Sequence, residues 1–415
     1  MIYFIIFLLA AGNLFFWWWA DRRLRIVPKG MVLRALLGVL VGGQTLVLGW
    51  WIAFPSTLRG LGNAFWKPVT AWLYMWHLLV LPATLVVLLL GYSVLGLGRL
   101  FTKLAALRWP KAAVAPAPAP LADDHVLGSV RGPGVVYPSR RQLLTAAATF
   151  VPQVALAGTL LEAAHQHGKF RIREMELALP QLPKGLDGLT LAHVSDTHTG
   201  RFVGPRELEA VVEATANLKP DLIVFTGDLI DYNLADLPPA LSAMRQLAKL
   251  APMAMCVGNH DLFDDGVVFR NKVRRAEVGL MVDEMMPLHV RGHRIDLLGL
   301  DWGTAVSSRQ DGIQEHMRKL LARRRIDAFP ILLAHHPHAF DPAAAAGIPL
   351  TLSGHTHGGQ IMLTKNWGCG RLYKYWSGLY EKGPNKLVVS NGVGNWFPLR
   401  INAPAEIIRL RLRSA

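Results

Sequence analysis

The sequence predicts an α/β domain built on two packed, mixed β-sheets flanked by helices, preceded by an α-helical transmembrane region. Three observations carry that expectation. Before residue 110 the chain holds three long apolar runs that contain no charge. From residue 169 onward short apolar runs alternate with helix-period patterns over about 245 residues, a length that suits one α/β domain. The charge is also unevenly divided: residues 1–141 hold 14 Lys and Arg against 3 Asp and Glu, which is +11 of the chain's +15.

The first apolar run, residues 1–20, ends in Trp17, Trp18 and Trp19 and is followed by Asp21, Arg22, Arg23 and Arg25. About 20 apolar residues with an aromatic and basic border fit a spanning helix or an uncleaved signal anchor. Residues 35–58 and 68–98 form the second and third runs, the last bordered by Arg99, Lys103, Arg108 and Lys111. Both are long enough to cross a bilayer with some tilt. Hydrophobic residues make up 52% of the chain, and the basic excess belongs to this membrane region. Nucleic acid is excluded as the reason for the charge, because no basic helix, zinc finger or aromatic RNA-binding signature is present.

Residues 110–138 shift to Ala, Pro and Gly, a composition that builds no core and predicts an extended linker. Residues 139–168 follow, beginning SRRQLL, and their apolar stretch at 145–161 is diluted by Pro152 and Gln153. It is open to three readings: a fourth spanning helix, an internal twin-arginine export signal, or an amphipathic helix lying on the membrane or on the catalytic domain. Basic clusters after the first and third runs put those loops in the cytoplasm by the positive-inside rule. A fourth span then carries residues 169–415 to the outer face. The chain is thus expected to divide into a spanning region at 1–109, the linker, the fourth helix and a globular domain at 169–415. Cys256 and Cys369 have no repeated spacing and decide nothing about redox compartment.

Within the globular part, residues 170–179 predict an opening strand and residues 189–195 a second, ending in Asp196 and His198. In extended backbone, residues two apart point to the same side, so this pair offers an oxygen and a nitrogen ligand together. A helix at 205–218, with Leu208, Val211 and Val212 on one face, leads to a strand at 221–225. That strand delivers Gly227 and Asp228 at its carboxyl end, where ligands bind in open α/β sheets and where a carboxylate can bridge two cations. Asp231, in the same loop, reads as a cap or supporting partner. A helix at 237–250 and a strand at 253–257 bring Asn259, a hard neutral oxygen ligand, and His260, placed to donate a proton. Asp261 is expected to orient the His260 ring.

A basic helix at 269–275, a strand at 295–300 and a helix at 310–325 follow. The buried strand at 330–334 ends in His335, the expected ligand of that stretch, with His336 and His338 at the rim and Asp341 capping a short helix. His193, His289 and His293 read as structural. Residues 348–352 form another buried strand before SGHTHGGQ at 353–360, in which His355 and His357 sit two apart, roughly 7 Å between Cα atoms in extended chain. Each imidazole can then reach a different ion of a closely spaced pair, while the pair taken alone reads equally as surface or core histidines in a loop. Runs at 387–390, 398–401 and 406–412 close the chain and supply a second sheet packed on the first; Arg400 reads as structural, with a phosphate contact as the alternative.

The order D-x-H, G-D-x-x-D, G-N-H-D, H and G-H-x-H resembles the calcineurin-like metallophosphoesterases, over residues 189–412, and SGHTHGGQ resembles the bacterial membrane-associated branch of that family. The resemblance implies a pair of central sheets sandwiched by helices and two divalent ions such as Mn, Fe or Zn. One ion would take Asp196, His198, Asp228 and His357, the other Asp228, Asn259, His335 and His355, with Asp228 bridging. It also implies metal-dependent hydrolysis of a phosphoester, with Asp228 and His260 at the reacting centre. The membrane region points to a lipid-linked or envelope phosphoester beside the membrane lipid, with small soluble phosphoesters as the alternative. The rival expectation is a non-catalytic membrane sensor or scaffold that binds a phosphorylated ligand.

Overall fold

The computed structural model describes residues 2–27, 30–53, 63–108, 139–302, 309–323, 325, 327–364 and 366–415. The chain divides into two compact units, Met1–Leu160 and Leu161–Ala415. In the first, the expected apolar runs lie on helices Ile2–Leu24 and Gly30–Ala53, and on Asn63–Tyr74, which passes through a π-helical turn, Met75–Val80, into Leu81–Arg108. Residues 54–58 of the second run and the linker at 110–138 lie outside the described residues. The fourth segment is one helix, Arg140–Gln166, with Pro152 inside it. Among the described residues, Gly30–Trp50, Lys67–Leu104 and Arg140–Gln166 are long and apolar enough to cross a membrane. Some buried polar groups in this unit pair with one another, as low dielectric favours. Asn13 is fully buried, accepts from Trp76 Nε1 at 2.9 Å and donates to Thr45 Oγ1 at 2.7 Å.

The second unit contains thirteen described strands. They are β1 (Arg171–Leu179), β2 (Thr190–Val194), β3 (Leu222–Thr226), β4 (Met253–Cys256), β5 (Glu284–Val290), β6 (His293–Gly299) and β7 (Phe329–Leu333). Then come β8 (Leu350–Ser353), β9 (Met362–Thr364), β10 (Trp367–Gly368), β11 (Gly378–Lys382), β12 (Asn385–Val389) and β13 (Glu406–Ser414). One sheet has the order β1-β13-β2-β3-β4 and the other β11-β12-β8-β7-β6-β5; β9 and β10 form a separate hairpin.

Both sheets are mixed, with β2, β3 and β4 parallel in the first and β12, β8, β7 and β6 parallel in the second. Alternation along each strand decides which side chains face which layer. In β3, Leu222 and Val224 enter the core between the sheets with Ile331, Leu333, Leu350 and Leu352. Ile223 and Phe225 point the other way, against Leu241, Met244 and Phe269 of the covering helices. On the far side Leu298 and Leu332 pack under Met317, Leu320 and Ala343. The result is helix, sheet, sheet, helix.

Strand β5 is not anticipated by the sequence, whose EMMPLHV run carries a proline and alternates weakly. It is tolerated because β5 is the outermost strand of its sheet, where a missing N–H costs no ladder bond. The helix expected at 310–325 ends at Leu321. Asp341 does not cap its helix: the carboxylate takes Lys374 at 2.8 Å and the Tyr375 hydroxyl at 2.9 Å instead.

His193 is fully buried on β2 and its Nε2 lies 2.9 Å from Thr226 Oγ1. Burial pushes its pKa down to about 4. The folded state therefore holds the ring neutral, while the unfolded chain protonates it below pH about 6.5, so stability present above that pH is lost as pH falls toward 4. The loss is about 3 kcal/mol for this one group. Thermal unfolding of the full chain between pH about 7 and 5 should show a larger drop for the native protein than for His193→Gln. Equal drops would remove the assignment.

Candidate metal centre

Five strand ends converge here: β2, β3 and β4 from one sheet, β7 and β8 from the other. Their carboxyl ends present Asp196 and His198, Asp228, Asn259 and His260, His335, and His355 and His357. The structure brings these into adjoining groups. Ligand atoms of Asp196, His198 and His357 lie within 4.8 Å of one another, as do those of Asp228, His335 and His355. Asp228 Oδ2 stands between the groups, 3.5 Å from His198 Nε2 and 3.1 Å from His335 Nε2. A further cluster, His198, Asp231 and His260, shares His198.

The two-apart pairs do not converge by extended backbone. Asp196, His198, Asp228, His355 and His357 have φ of 55°, 45°, 56°, 73° and 50°, all left-handed. The strands have ended, and backbone bonds between segments impose the turn: Asp196 N donates to Gly227 O at 3.0 Å and His198 N to Asp228 O at 3.1 Å. Such a conformation costs a residue with a Cβ about 1–2 kcal/mol, so it persists only where the surroundings enforce it. Glycine is required at the closest approaches. A Cβ on Gly258 would lie 2.1 Å from Asp228 Oδ1, and one on Gly354 2.2 Å from Asp196 Oδ2.

The donor set fits divalent cations. Asp196 and Asp228 are 0% and 1% exposed, charges that a dry site holds only with compensation. Ring nitrogens point at one another, His198 Nε2 at His357 Nε2 (2.9 Å) and His355 Nδ1 at His335 Nε2 (3.3 Å). Asn259 Oδ1 is buried with no hydrogen-bond partner among the described residues, an acceptor whose desolvation is otherwise uncompensated.

Electrostatics separate the histidines. Burial would lower the pKa of His260, but its contacts with Asp231 and the Asp228 charge outweigh that and raise it to about 9. Its Nδ1 is 2.5 Å from Asp231 O. Burial, reinforced by the Arg400 charge, holds His357 well below the usual range and therefore neutral.

Two supporting roles, those of Asp261 and His336, differ from the sequence reading, and Arg400 is structural as expected. Asp261 does not touch the His260 ring. Its carboxylate accepts four backbone N–H bonds, from Asp228 (3.1 Å), Leu229 (2.8 Å), Ile230 (3.1 Å) and Gly258 (2.9 Å), tying the β3 loop to the β4 loop. His336 is buried, not at the rim, with its ring 5.0 Å from that of His355; His338 is half-buried. Arg400 is 4% exposed, and its Nη2 donates to His357 Nδ1 at 2.8 Å, aiming Nε2 at Asp196. The residues themselves carry no sequence signal for these partners, which lie on other segments. Trp302, 4.9 Å from the His355 ring, was likewise invisible in the sequence. Cys256 is buried, Cys369 is exposed, and the two are not joined.

The sequence profile of the calcineurin-like phosphoesterases matches residues 189–359. The uncharacterized metallophosphoesterase YkuE of Bacillus subtilis is 32% identical over 246 residues, 56% of this chain and 82% of its own length. A transmembrane protein with metallophosphoesterase domain from Bos taurus is 31% identical over 290 residues, 66% of this chain. Its Danio rerio counterpart is 29% identical over 256 residues, 59% of this chain. The match spans 63% and 58% of these two transmembrane relatives.

Replacing Asp261 by Ala should leave four N–H groups unpaired and cost at least about 3 kcal/mol. Bound metal should fall with it, since Asp228 loses its anchored loop, and Asp261→Asn should recover part of both. Unfolding midpoints and metal content measured together check this; an Ala variant with native values in both would refute the tether.

Proposed function

The chain belongs to the calcineurin-like phosphoesterase family, and from that premise we propose that it is a membrane-bound, dinuclear-metal phosphoesterase of the cell envelope. Residues 169–415 form the catalytic domain, and the substrate is a phosphodiester or a lipid-linked pyrophosphate. The observation that carries this reading is the position of Asp228 Oδ2, within 3.5 Å of a nitrogen in one ligand group and 3.1 Å of one in the other. A single carboxylate so placed is suited to being shared by two cations.

Asp196, His198 and His357 would hold one ion and Asn259, His335 and His355 the other. When bound, such a pair supplies a water of lowered pKa as nucleophile and positive charge for the phosphoryl oxygens. The chain's own residues do the rest. Asp228 fixes the spacing, its other oxygen being occupied by His260 N at 2.9 Å. His357 presents a neutral lone pair because burial and Arg400 keep it unprotonated. His260, charged at neutral pH, gives its proton to the departing alkoxide oxygen. The two histidines thus take opposite protonation states, as an acid and a ligand must.

Membrane attachment is supported by the apolar helices and by relatives named as transmembrane proteins. The outer face of a bacterial inner membrane is the proposed side. The reasons are the basic loops after the first and third runs and the length of Arg140–Gln166, which suffices for one more crossing.

Metal analysis of the purified chain should find two ions, and EDTA should abolish hydrolysis of bis-p-nitrophenyl phosphate, with Mn restoring it. His260→Ala should keep the metal and lose at least about 100-fold in kcat, while Asp228→Ala loses both. Two bound ions with no turnover on any phosphoester would favour a phosphate-binding sensor. For the side of the membrane, a C-terminal alkaline phosphatase fusion should be active and a C-terminal green fluorescent fusion dark; the reverse pattern places the domain in the cytoplasm.

A further inference from the structure

The β9–β10 hairpin and the turn after it expose three large apolar side chains: Leu363 at 60%, Trp367 at 59% and Leu372 at 83%. Arg371 beside them is exposed and makes no ion pair among the described residues. Water gains nothing by keeping such side chains together on a two-stranded ribbon, and a Trp and leucines interleaved with a free cation match the water–lipid boundary.

Hydrogen bonds connect this hairpin to the point where a candidate membrane helix ends. Gln166, the last residue of Arg140–Gln166, bonds the Arg400 backbone in both directions, Nε2 to O at 2.8 Å and N to Oε1 at 2.9 Å. The next residues continue into the hairpin: Met362 N donates to Ile401 O at 2.9 Å and Asn402 Nδ2 to Met362 O at 2.8 Å. Only residues 167–170 separate that helix from β1, a reach of at most about 18 Å. At its other end the hairpin turn reaches the candidate centre. Tyr373, next to Leu372, packs edge-on against the His355 ring at 5.8 Å.

We propose that residues 362–372 seat Leu363, Trp367 and Leu372 in the interfacial layer of an anionic bilayer, which presents the metal centre to phosphoesters at headgroup depth. The seating stands on the hairpin alone; the substrate half rests on the phosphoesterase reading above. Binding the hairpin to lipid orders the His355 rim against the surface from which substrate comes, so bilayer-borne esters are favoured over soluble ones.

Native Cys369 sits in this segment and is exposed while Cys256 is buried, which gives a single labelling position. The full-length chain, labelled there with an environment-sensitive dye, is placed in nanodiscs of phosphatidylethanolamine and phosphatidylglycerol. Lipids carrying a nitroxide at the top of the acyl chain should remove most of the dye's fluorescence. A variant with Leu363→Ser, Trp367→Ser and Leu372→Ser should escape quenching. It should also lose about tenfold in turnover of a long-chain alkyl p-nitrophenyl phosphodiester dissolved in the discs, with soluble bis-p-nitrophenyl phosphate unaffected. Absent quenching in the native chain, or quenching untouched by the three serines, overturns the seating. Equal losses on both substrates overturn its link to substrate choice. Quenching without turnover of either ester sinks the phosphoesterase reading and leaves the seating in place.

Discussion

Two carboxylates taken out of water, Asp196 and Asp228, set the terms for everything around them. Removing an ionised carboxylate from solvent costs several kcal/mol unless cations or N–H donors replace the lost hydration. The protein supplies both kinds of replacement. His355 N donates to both Asp196 oxygens, at 3.0 and 3.2 Å, and Ser195 Oγ bonds Oδ2. Backbone and imidazole groups treat Asp228 alike, and glycines at 258 and 354 bring the neighbouring chain close enough to do so. The remaining imbalance, imidazole nitrogens facing one another across about 3 Å, is what a pair of divalent ions would resolve.

The same constraint explains the rigid scaffolding behind the strand ends. Left-handed turns at five acidic and imidazole positions are unfavourable one by one. Asp261 ties the turn at Asp228 to the β4 loop by collecting N–H groups from both, and Arg400, which bonds the His357 ring, is itself held by the carbonyls of Asn391, Gly394 and Ala403 at 2.8, 2.6 and 3.2 Å. Neither residue lies in either ligand group. Each decides where a ligand points, so the chemistry depends on side chains that never meet the reacting atoms.

Burial and local charge also explain how one cleft keeps a protonated and a neutral imidazole side by side. The His198 and His260 rings meet edge to face at 4.5 Å, and His198 and His357 at 4.8 Å. Burial lowers both, but contacts with Asp231 and Asp228 outweigh it at His260, which stays protonated; at His357 burial prevails, with the Arg400 charge adding to it, and the ring stays neutral. Identical side chains thus take different protonation states from the balance of burial and neighbouring charge.

Much of this was readable in the order of residues. Apolar runs of strand length, each closed by Asp, Asn or His, were enough to name the eight candidate side chains and the layered α/β architecture, because period and burial are local properties. Strands β5, β9, β10 and β11 are not legible in the sequence and the run at 398–401 forms no strand; an edge strand such as β5 needs neither a continuous apolar run nor freedom from proline. The turn geometry was misjudged, since extended backbone was assumed where strands had already stopped. Asp261, His336 and Arg400 took their places only on folding. Their partners belong to other segments, as His198 meets His357 across 159 positions, and a hydrogen bond between segments is settled by the packing of two sheets rather than by either stretch alone. The sequence by itself determined which groups are available at the strand ends. Tertiary structure decided which of them face a common centre, because that requires both sheets to bring their carboxyl ends to one place.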